Sequence, residues 1–246
     1  MWTKTKNYIR SYRASSVIKR LIVILLSILL MDFGISCYFN CGLGADPFSV
    51  FVDGEHYLTG LDYGQITNIN NVVLFILMLI FCRKYIHVGT IVSAAISGTL
   101  LNVVNNWLKV TWIADQPWEQ WLMLMLGVVG FAASVALYIV ADMGLSTVAA
   151  ISVYLEEKTK INIRWLRIGQ DVFFTLLGVL LGAIAGHVVF SLNPDLHPLT
   201  GLGTIIGAFG TGPIMKWCIN WMIGPLRKWF GPLRKTETAE KANEHP

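Results

Sequence analysis

Two aspartates stand inside stretches that are otherwise apolar, where their chemistry would be that of ion- or proton-linked groups. Asp32 follows Arg20 by twelve residues, about 18 Å along a helix. Asp171 follows Arg164 by seven residues, about 10 Å by the same rise. An ionisable side chain at such a depth in a bilayer is costly and usually serves a function. We therefore predict that Asp32 and Asp171 bind a substrate or its coupling ion.

Amide side chains occupy related positions in two of these apolar stretches. Gln170 directly precedes Asp171, and Asn70 and Asn71 lie 100 residues earlier. We predict that Asn70, Asn71 and Gln170 contact a small polar ligand. The alternative is that they form hydrogen bonds between helices, a common packing device in membranes.

Two short helices are predicted to begin at polar caps that follow glycine turns. Residues 42–53 read GLGADPFSVFVD, and residues 143–151 read MGLSTVAAI. Asp46 and Ser146 are favoured N-caps, and Pro47 suits the first helical position. Because the N–H groups of a helix start carry partial positive charge, we expect the two caps to bind a ligand at a shared centre. Alternatively, both short helices lie flat at the membrane surface and only shape loops.

The ligand at such a centre need not be an anion. Asp46 would repel an anion, so a zwitterion or a cation fits this pattern equally well. The predicted hinge and half-helix positions are Gly42, Gly44, Pro47, Gly144, Gly203, Gly212 and Pro213.

The composition indicates that these elements belong to a polytopic membrane protein. The chain has 246 residues, of which 54% are hydrophobic and 14% charged, whereas soluble domains carry about 25% charged residues. Its net charge of +4 comes from residues at the ends of apolar stretches, which does not indicate nucleic-acid binding. Six stretches are long enough to span a bilayer, near 17–40, 64–82, 88–108, 119–141, 165–187 and 199–223.

An internal repeat organises these spans. With an offset of 100, which becomes 114 before the last span, the matched pairs include Tyr38 with Tyr138, Gly44 with Gly144, Gly89 with Gly203 and Trp107 with Trp221. Each copy has three spans, an odd number, so the second copy must be inverted. The sequence therefore predicts an all-α membrane fold of two inverted three-helix repeats, each with an interrupted or re-entrant half-helix. The predicted segments are a basic interfacial segment (1–16), the repeats (17–110 and 111–223) and a basic disordered tail (224–246).

The basic residues predict the orientation of the chain. Residues 1–20, Arg83, Lys84 and Lys158 would all face one side, and Lys109 is the only basic residue in the loops of the other side. By the positive-inside rule, both termini are predicted to be cytoplasmic.

Enzyme chemistry has little support in this sequence. No HExxH, GxSxG or P-loop motif is present, so we predict no enzymatic activity, no cofactor and no metal. The cysteines form no CxxC pair, and we expect buried thiols at Cys37, Cys41, Cys82 and Cys218.

Several motifs resemble those of a known family. The stretch GLGADPFSVF at 42–51, followed by YGQI at 63–66, Arg83-Lys84 and GTI at 89–91, resembles the bacterial YczE/YyaS/YitT-type membrane proteins. The resemblance covers residues 18–225. It implies a bacterial plasma-membrane protein and carries no substrate with it.

These observations favour a secondary transporter or exporter of a small polar metabolite that works by alternating access between the repeats. Its partners would be the lipid bilayer, the metabolite and a proton or sodium ion, and the protein could form a homo-oligomer. The alternative is a non-transporting sensor or an accessory subunit of another membrane system.

Overall fold

The computed structural model describes residues 14–161, 163–190 and 198–230. These residues form no β-strand and eight α-helices: α1 (Ala14–Asn40), α2 (Pro47–Thr59), α3 (Tyr63–Phe81), α4 (Val88–Thr111), α5 (Pro117–Ala141), α6 (Thr147–Thr159), α7 (Ile163–Ile184) and α8 (Leu202–Phe230). A 3₁₀ turn, Arg83–Tyr85, joins α3 to α4. Most of the predicted N-terminal segment, and the tail beyond 230, lie outside the described residues.

Five of these helices are long and apolar enough to cross a membrane, namely α1, α3, α4, α5 and α7. Many of their large apolar side chains are exposed, as on α7 at Phe173, Leu176 and Leu180, and such a surface suits contact with lipid. The protein is therefore an all-helical, multi-pass membrane protein.

The sixth predicted span corresponds to α8, which has 29 residues but is not among the five apolar helices. Glycines, Pro213 and Lys216 dilute its apolar character. The helix also continues to Phe230, beyond the predicted start of the tail at 224. Its end is held by α1, because Lys19 donates a hydrogen bond of 2.8 Å to the Trp229 carbonyl and Arg20 lies 4.8 Å from the Phe230 ring.

Helix α1 forms the axis of the bundle and packs along α5. Arg20 donates to the Ala141 carbonyl at 2.7 Å, and Ser27 donates to the Ser134 carbonyl at 2.9 Å. Because residue numbers rise along α1 as they fall along α5, the two helices are antiparallel.

Helix α4 packs along another side of α1. Ser97 contacts Asp32, and Asn40 donates to the Asn105 side chain at 2.7 Å. Residue numbers rise together along both helices, so α1 and α4 are parallel.

Helix α2 is held against α7 by two glycines. A Cβ added to Gly178 would lie 2.3 Å from the Val50 carbonyl oxygen, and one added to Gly54 would lie 2.4 Å from the Gly178 carbonyl oxygen. This close approach helps to bury the first two turns of α2, although a helix of 13 residues is too short to cross a bilayer.

Candidate functional site: two helix breaks and the carboxylates near them

The two breaks, residues 41–46 and 142–146, have the same local structure. Gly44 and Gly144 have φ angles of +92° and +117°, a conformation that glycine adopts without a Cβ penalty. The Ser49 N–H donates to the Asp46 carboxylate at 3.4 Å, and the Ala149 N–H donates to the Ser146 hydroxyl at 3.3 Å. The predicted N-caps are therefore confirmed.

The short helices that follow the breaks also end alike. The C-caps of α2 and α6 are Gly60 and Lys160, both left-handed, with φ angles of 72° and 60°. The last helical residues, Thr59 and Thr159, each donate a side-chain hydrogen bond of 2.7 Å to the carbonyl four residues earlier. The start and the end of α2 therefore match the start and the end of α6 at an offset of 100 residues.

Each break is closed by the first turn of a helix from the other half of the chain. The Gly203 N–H of α8 donates to the Leu43 carbonyl at 2.7 Å, and the Gly89 N–H of α4 donates to the Met143 carbonyl at 3.1 Å. The Thr90 hydroxyl adds a bond of 2.8 Å to the Leu145 carbonyl. Thus a helix of the second half closes the break in the first half, and a helix of the first half closes the break in the second half.

The two breaks lie at opposite ends of the bundle. Gly89 packs against Ile24 in the first half of α1, whereas the other break directly follows Asn40 at the end of α1. Ile24 and Asn40 are 16 residues apart, about 24 Å along α1. This distance approaches the thickness of the hydrocarbon core of a bilayer. The expectation that the two helix starts share one centre is therefore wrong, because α1 and α5 each traverse most of the bundle before they are interrupted.

Asp32 lies midway between the levels of the breaks, eight residues from Ile24 and eight from Asn40. Its side chain has no exposed area. The Ser97 hydroxyl donates to its Oδ1 at 3.2 Å, and its Oδ2 has no hydrogen-bond partner among the described residues. A carboxyl group with one oxygen unsatisfied in the middle of a membrane protein could hold a proton or a cation.

The predicted amides join helices to each other. Asn70 donates to Glu55 of α2 at 2.5 Å, and the Asn71 side chain accepts from Thr147 at the start of α6 at 3.3 Å. Gln170 donates to the Val148 carbonyl at 2.9 Å and accepts from Ser152. Asn71 and Gln170 therefore both bond to α6, whereas Asn70 of α3 bonds to α2. These contacts agree with the packing alternative.

Asp171 is half-buried on α7, three residues before Phe174, whose ring centre lies 5.1 Å from that of Phe48 at the start of α2. Asp171 therefore lies on the part of α7 that faces the start of α2, which Asp46 caps. Asp32 instead has its polar contact with α4.

The remaining residues predicted as hinges differ in their surroundings. Gly203 is a close contact, because a Cβ there would lie 2.5 Å from the Gly44 carbonyl oxygen. An added Cβ at Gly212 would meet no described atom within 4 Å, and Pro213 lies inside the continuous helix α8. Gly42 has a φ of 70° and supplies a turn at the first break.

Asp53 was not among the predicted site residues. It lies inside α2, is only 8% exposed and accepts a hydrogen bond of 2.7 Å from the Tyr63 hydroxyl. The Lys109 ammonium lies 5.3 Å from the centre of the Tyr63 ring. Burial raises the pKa of Asp53 to about 7, although Tyr63 and Lys109 act in the opposite direction. The signal for this position was its spacing from Asp46 and Val50, which places all three on one helix face.

The stability of the protein should depend on pH through Asp53. Because its pKa in the folded protein is about 7 and that of an unfolded aspartate is about 4, the folded state binds this proton more tightly. The contribution of Asp53 to the free energy of unfolding therefore falls as the pH rises from about 4 to about 7. Melting curves of the wild type and Asp53→Asn at several pH values test this.

Asp53→Asn should remove the pH-dependent contribution of Asp53 to the free energy of unfolding. The difference between the melting temperatures of the wild type and Asp53→Asn should therefore change with pH. Asp115→Asn is the matched control, because Asp115 is exposed. Parallel pH profiles for wild type and Asp53→Asn would contradict the prediction.

Comparisons with known proteins agree with a membrane protein. Residues 18–220 match a family described as a family of unknown function, DUF6198. An uncharacterized protein of Haemophilus influenzae is 21% identical over 225 residues, which cover 89% of each chain. The uncharacterized membrane protein YczE of Bacillus subtilis is 23% identical over 193 residues, which cover 78% of this chain and 81% of the relative. No solved structure matches.

Proposed function

The chain belongs to the DUF6198 family, a YczE-type membrane family, and we propose that it is a secondary transporter of a small polar metabolite. It would work by alternating access between two inverted repeats in the bacterial plasma membrane, with both termini in the cytoplasm. The observation that carries this proposal is the reciprocal closure of each helix break by the other half of the chain. Inverted repeats with interrupted helices are a common plan of secondary transporters.

The directions of the helices support the inversion. Helix α4 is parallel to α1, and α5 is antiparallel to α1. Helix α8 begins at the end of α1, where Gly203 contacts Leu43, and ends at its beginning, where Trp229 contacts Lys19. We therefore take α8 as the sixth crossing, parallel to α5, so that the first and third long helices of each half run together and the halves run in opposite directions.

The two ends of the bundle differ in a way that suits alternating access. At one end, Lys84 of the 3₁₀ turn forms an ion pair with Glu157 of α6. The repeat offsets relate these positions to Pro198 and Tyr57, which line a small cavity at the other end. One end would thus be held by an ion pair, whereas the related positions at the other end form no ion pair among the described residues and border the cavity. From the distribution of basic residues, the end with the ion pair would be cytoplasmic.

A ligand screen followed by a flux measurement tests the proposal. We expect at least one metabolite to raise the melting temperature of the detergent-purified protein, and we expect the same compound to enter liposomes that contain the protein, with saturable kinetics. Liposomes without protein are the control. A compound that stabilises the protein but does not cross the membrane would contradict transport and favour a sensor. No stabilising compound for a folded protein would favour an accessory subunit.

A further inference from the structure

A small cavity lies beside the first helix break. Its volume is about 30 Å³, and its walls include Tyr38, Phe39, Asp53, Tyr57 and the break glycines Gly42 and Gly44. Because a cavity needs roughly 10–15 Å³ on this measure to hold one water molecule, the cavity admits only a small group. The prediction of ligand residues from the sequence did not include Asp53 or any of these aromatic residues.

The charge of this cavity comes from Asp53. The Tyr63 hydroxyl donates to its Oδ1, and no basic group forms an ion pair with it in the described part of the chain. Lys109 acts on Asp53 electrostatically, and its ammonium is held over the Tyr63 ring. The carboxyl group can therefore still accept a cation in direct contact.

The aromatic walls add to the attraction for a cation. The faces of tyrosine and phenylalanine rings attract ammonium groups through cation–π interactions. Phe39 stacks on Tyr63 with ring centres 4.1 Å apart, and Tyr57 stacks on His187 with centres 3.5 Å apart. These contacts fix two walls of the cavity. An anion would be repelled by Asp53, and an apolar group would leave the carboxylate with the Tyr63 hydroxyl alone and no positive charge to balance it.

We propose that this cavity binds an ammonium group, carried by a small amine or present as the free ion, between Asp53 and the aromatic side chains. The role of the site as the entry for a transported cation rests on the proposed function. Binding itself does not, because it can be measured without transport.

A cation bound in the cavity would lie beside the first helix break. Gly44 lines the cavity, and the same glycine packs against Gly201 and Thr204 at the start of α8. An occupant would therefore lie beside the contact that joins the two halves of the chain.

Thermal-shift titration of the full-length protein in detergent tests the site. The probes are ammonium chloride and methylammonium chloride, with sodium chloride and tetramethylammonium chloride at equal ionic strength as controls. We expect ammonium, methylammonium or both to raise the melting temperature, whereas sodium does not and the bulky tetramethylammonium does so less. Preference for methylammonium over ammonium would identify an organic amine, and the reverse a free ion.

Matched variants separate this site from general effects of salt. Asp53→Asn keeps an oxygen acceptor for Tyr63 but should lower the affinity at least about tenfold, as expected for a lost charged hydrogen bond. Tyr57→Leu should also weaken binding without a change of charge, and the exposed Asp115→Asn should bind like the wild type. An equal response to sodium chloride, or an unchanged affinity in Asp53→Asn, would overturn the site.

The two proposals fail in different ways. If methylammonium binds through Asp53 but does not cross liposomes, the site stands and transport of this cation does not. If another compound is transported and Asp53→Asn changes nothing, the transporter proposal stands and the cation site is wrong.

Discussion

Gly44→Ala is expected to reduce the yield and melting temperature of the folded protein sharply. The φ of Gly44 is +92°, and the new Cβ would lie 2.5 Å from the backbone nitrogen of Gly201. A left-handed residue with a Cβ costs about 1–2 kcal/mol, and overpacking costs about 1–3 kcal/mol more. Their sum is a large part of a typical stability of about 5–15 kcal/mol. Fluorescence-detected size exclusion and melting curves would measure the loss.

Two other glycines separate the causes of this effect. Gly60 has a φ of +72°, and no atom of the described residues lies within 4 Å of an added Cβ, so Gly60→Ala should show only the backbone strain. An added Cβ at Gly212 in α8 likewise meets no described atom within 4 Å, and Gly212→Ala should be tolerated. If Gly44→Ala costs no more than Gly60→Ala, the contact between the break and α8 does not contribute to stability.

The second break allows a rescue experiment that the first does not. A Cβ at Gly144 would lie 2.5 Å from the Thr90 hydroxyl oxygen, which is a side-chain atom. Thr90→Ala should therefore recover part of the stability lost in Gly144→Ala. At the first break, Thr204→Ala should give little recovery to Gly44→Ala, because the Gly201 backbone still obstructs the Cβ. Equal rescue at both breaks would contradict this distinction.

Features set by local sequence could be predicted well. The positions of the breaks follow from Gly44 and Gly144, and the starts of the short helices follow from Asp46, Pro47 and Ser146. These signals act within a few residues, through capping and backbone freedom. For the same reason the starts and ends of α3 and α5 lie within two residues of their predicted positions.

Features set by packing between distant helices could not be predicted in this way. The depth of a break depends on which neighbours surround it, so the sequence alone did not separate a shared centre from two opposite ends. The spacing of Asp53 from Asp46 and Val50 indicates its helix face, but its partners Tyr63 of α3 and Lys109 of α4 come from other helices and are not indicated by that spacing. The amides illustrate the same point. An asparagine at position 71 is suited to contact a ligand, but its side chain accepts a hydrogen bond from Thr147.

Asp32 is the residue on which coupling to an ion gradient should depend. It has no exposed area, lies midway between the breaks, and its Oδ2 has no hydrogen-bond partner in the part of the chain that is described. A bound proton or sodium ion would satisfy that oxygen, and its release would leave a charge that is costly at this depth. Proton or sodium binding at Asp32 would therefore favour one arrangement of the helices over another.

Asp32→Asn is accordingly expected to fold and to bind substrate but to lose gradient-driven accumulation. The amide keeps the oxygen that accepts from Ser97 and cannot bind or release a proton near neutral pH. In liposomes with a gradient of one pH unit, worth about 1.4 kcal/mol, the wild type should concentrate the compound found in the screen by up to about tenfold. The variant should reach only equal concentrations on both sides, while exchange of labelled for unlabelled compound continues.

Two further variants decide whether this loss reflects the carboxyl group or the packing around it. Ser97→Ala removes the hydroxyl donor and leaves Asp32, so accumulation should persist with a shifted pH dependence. Gly178→Leu should disrupt the contact of α7 with α2 and lower the yield of folded protein. If Asp32→Asn accumulates the compound like the wild type in both proton and sodium gradients, Asp32 is a structural residue and the coupling site lies elsewhere.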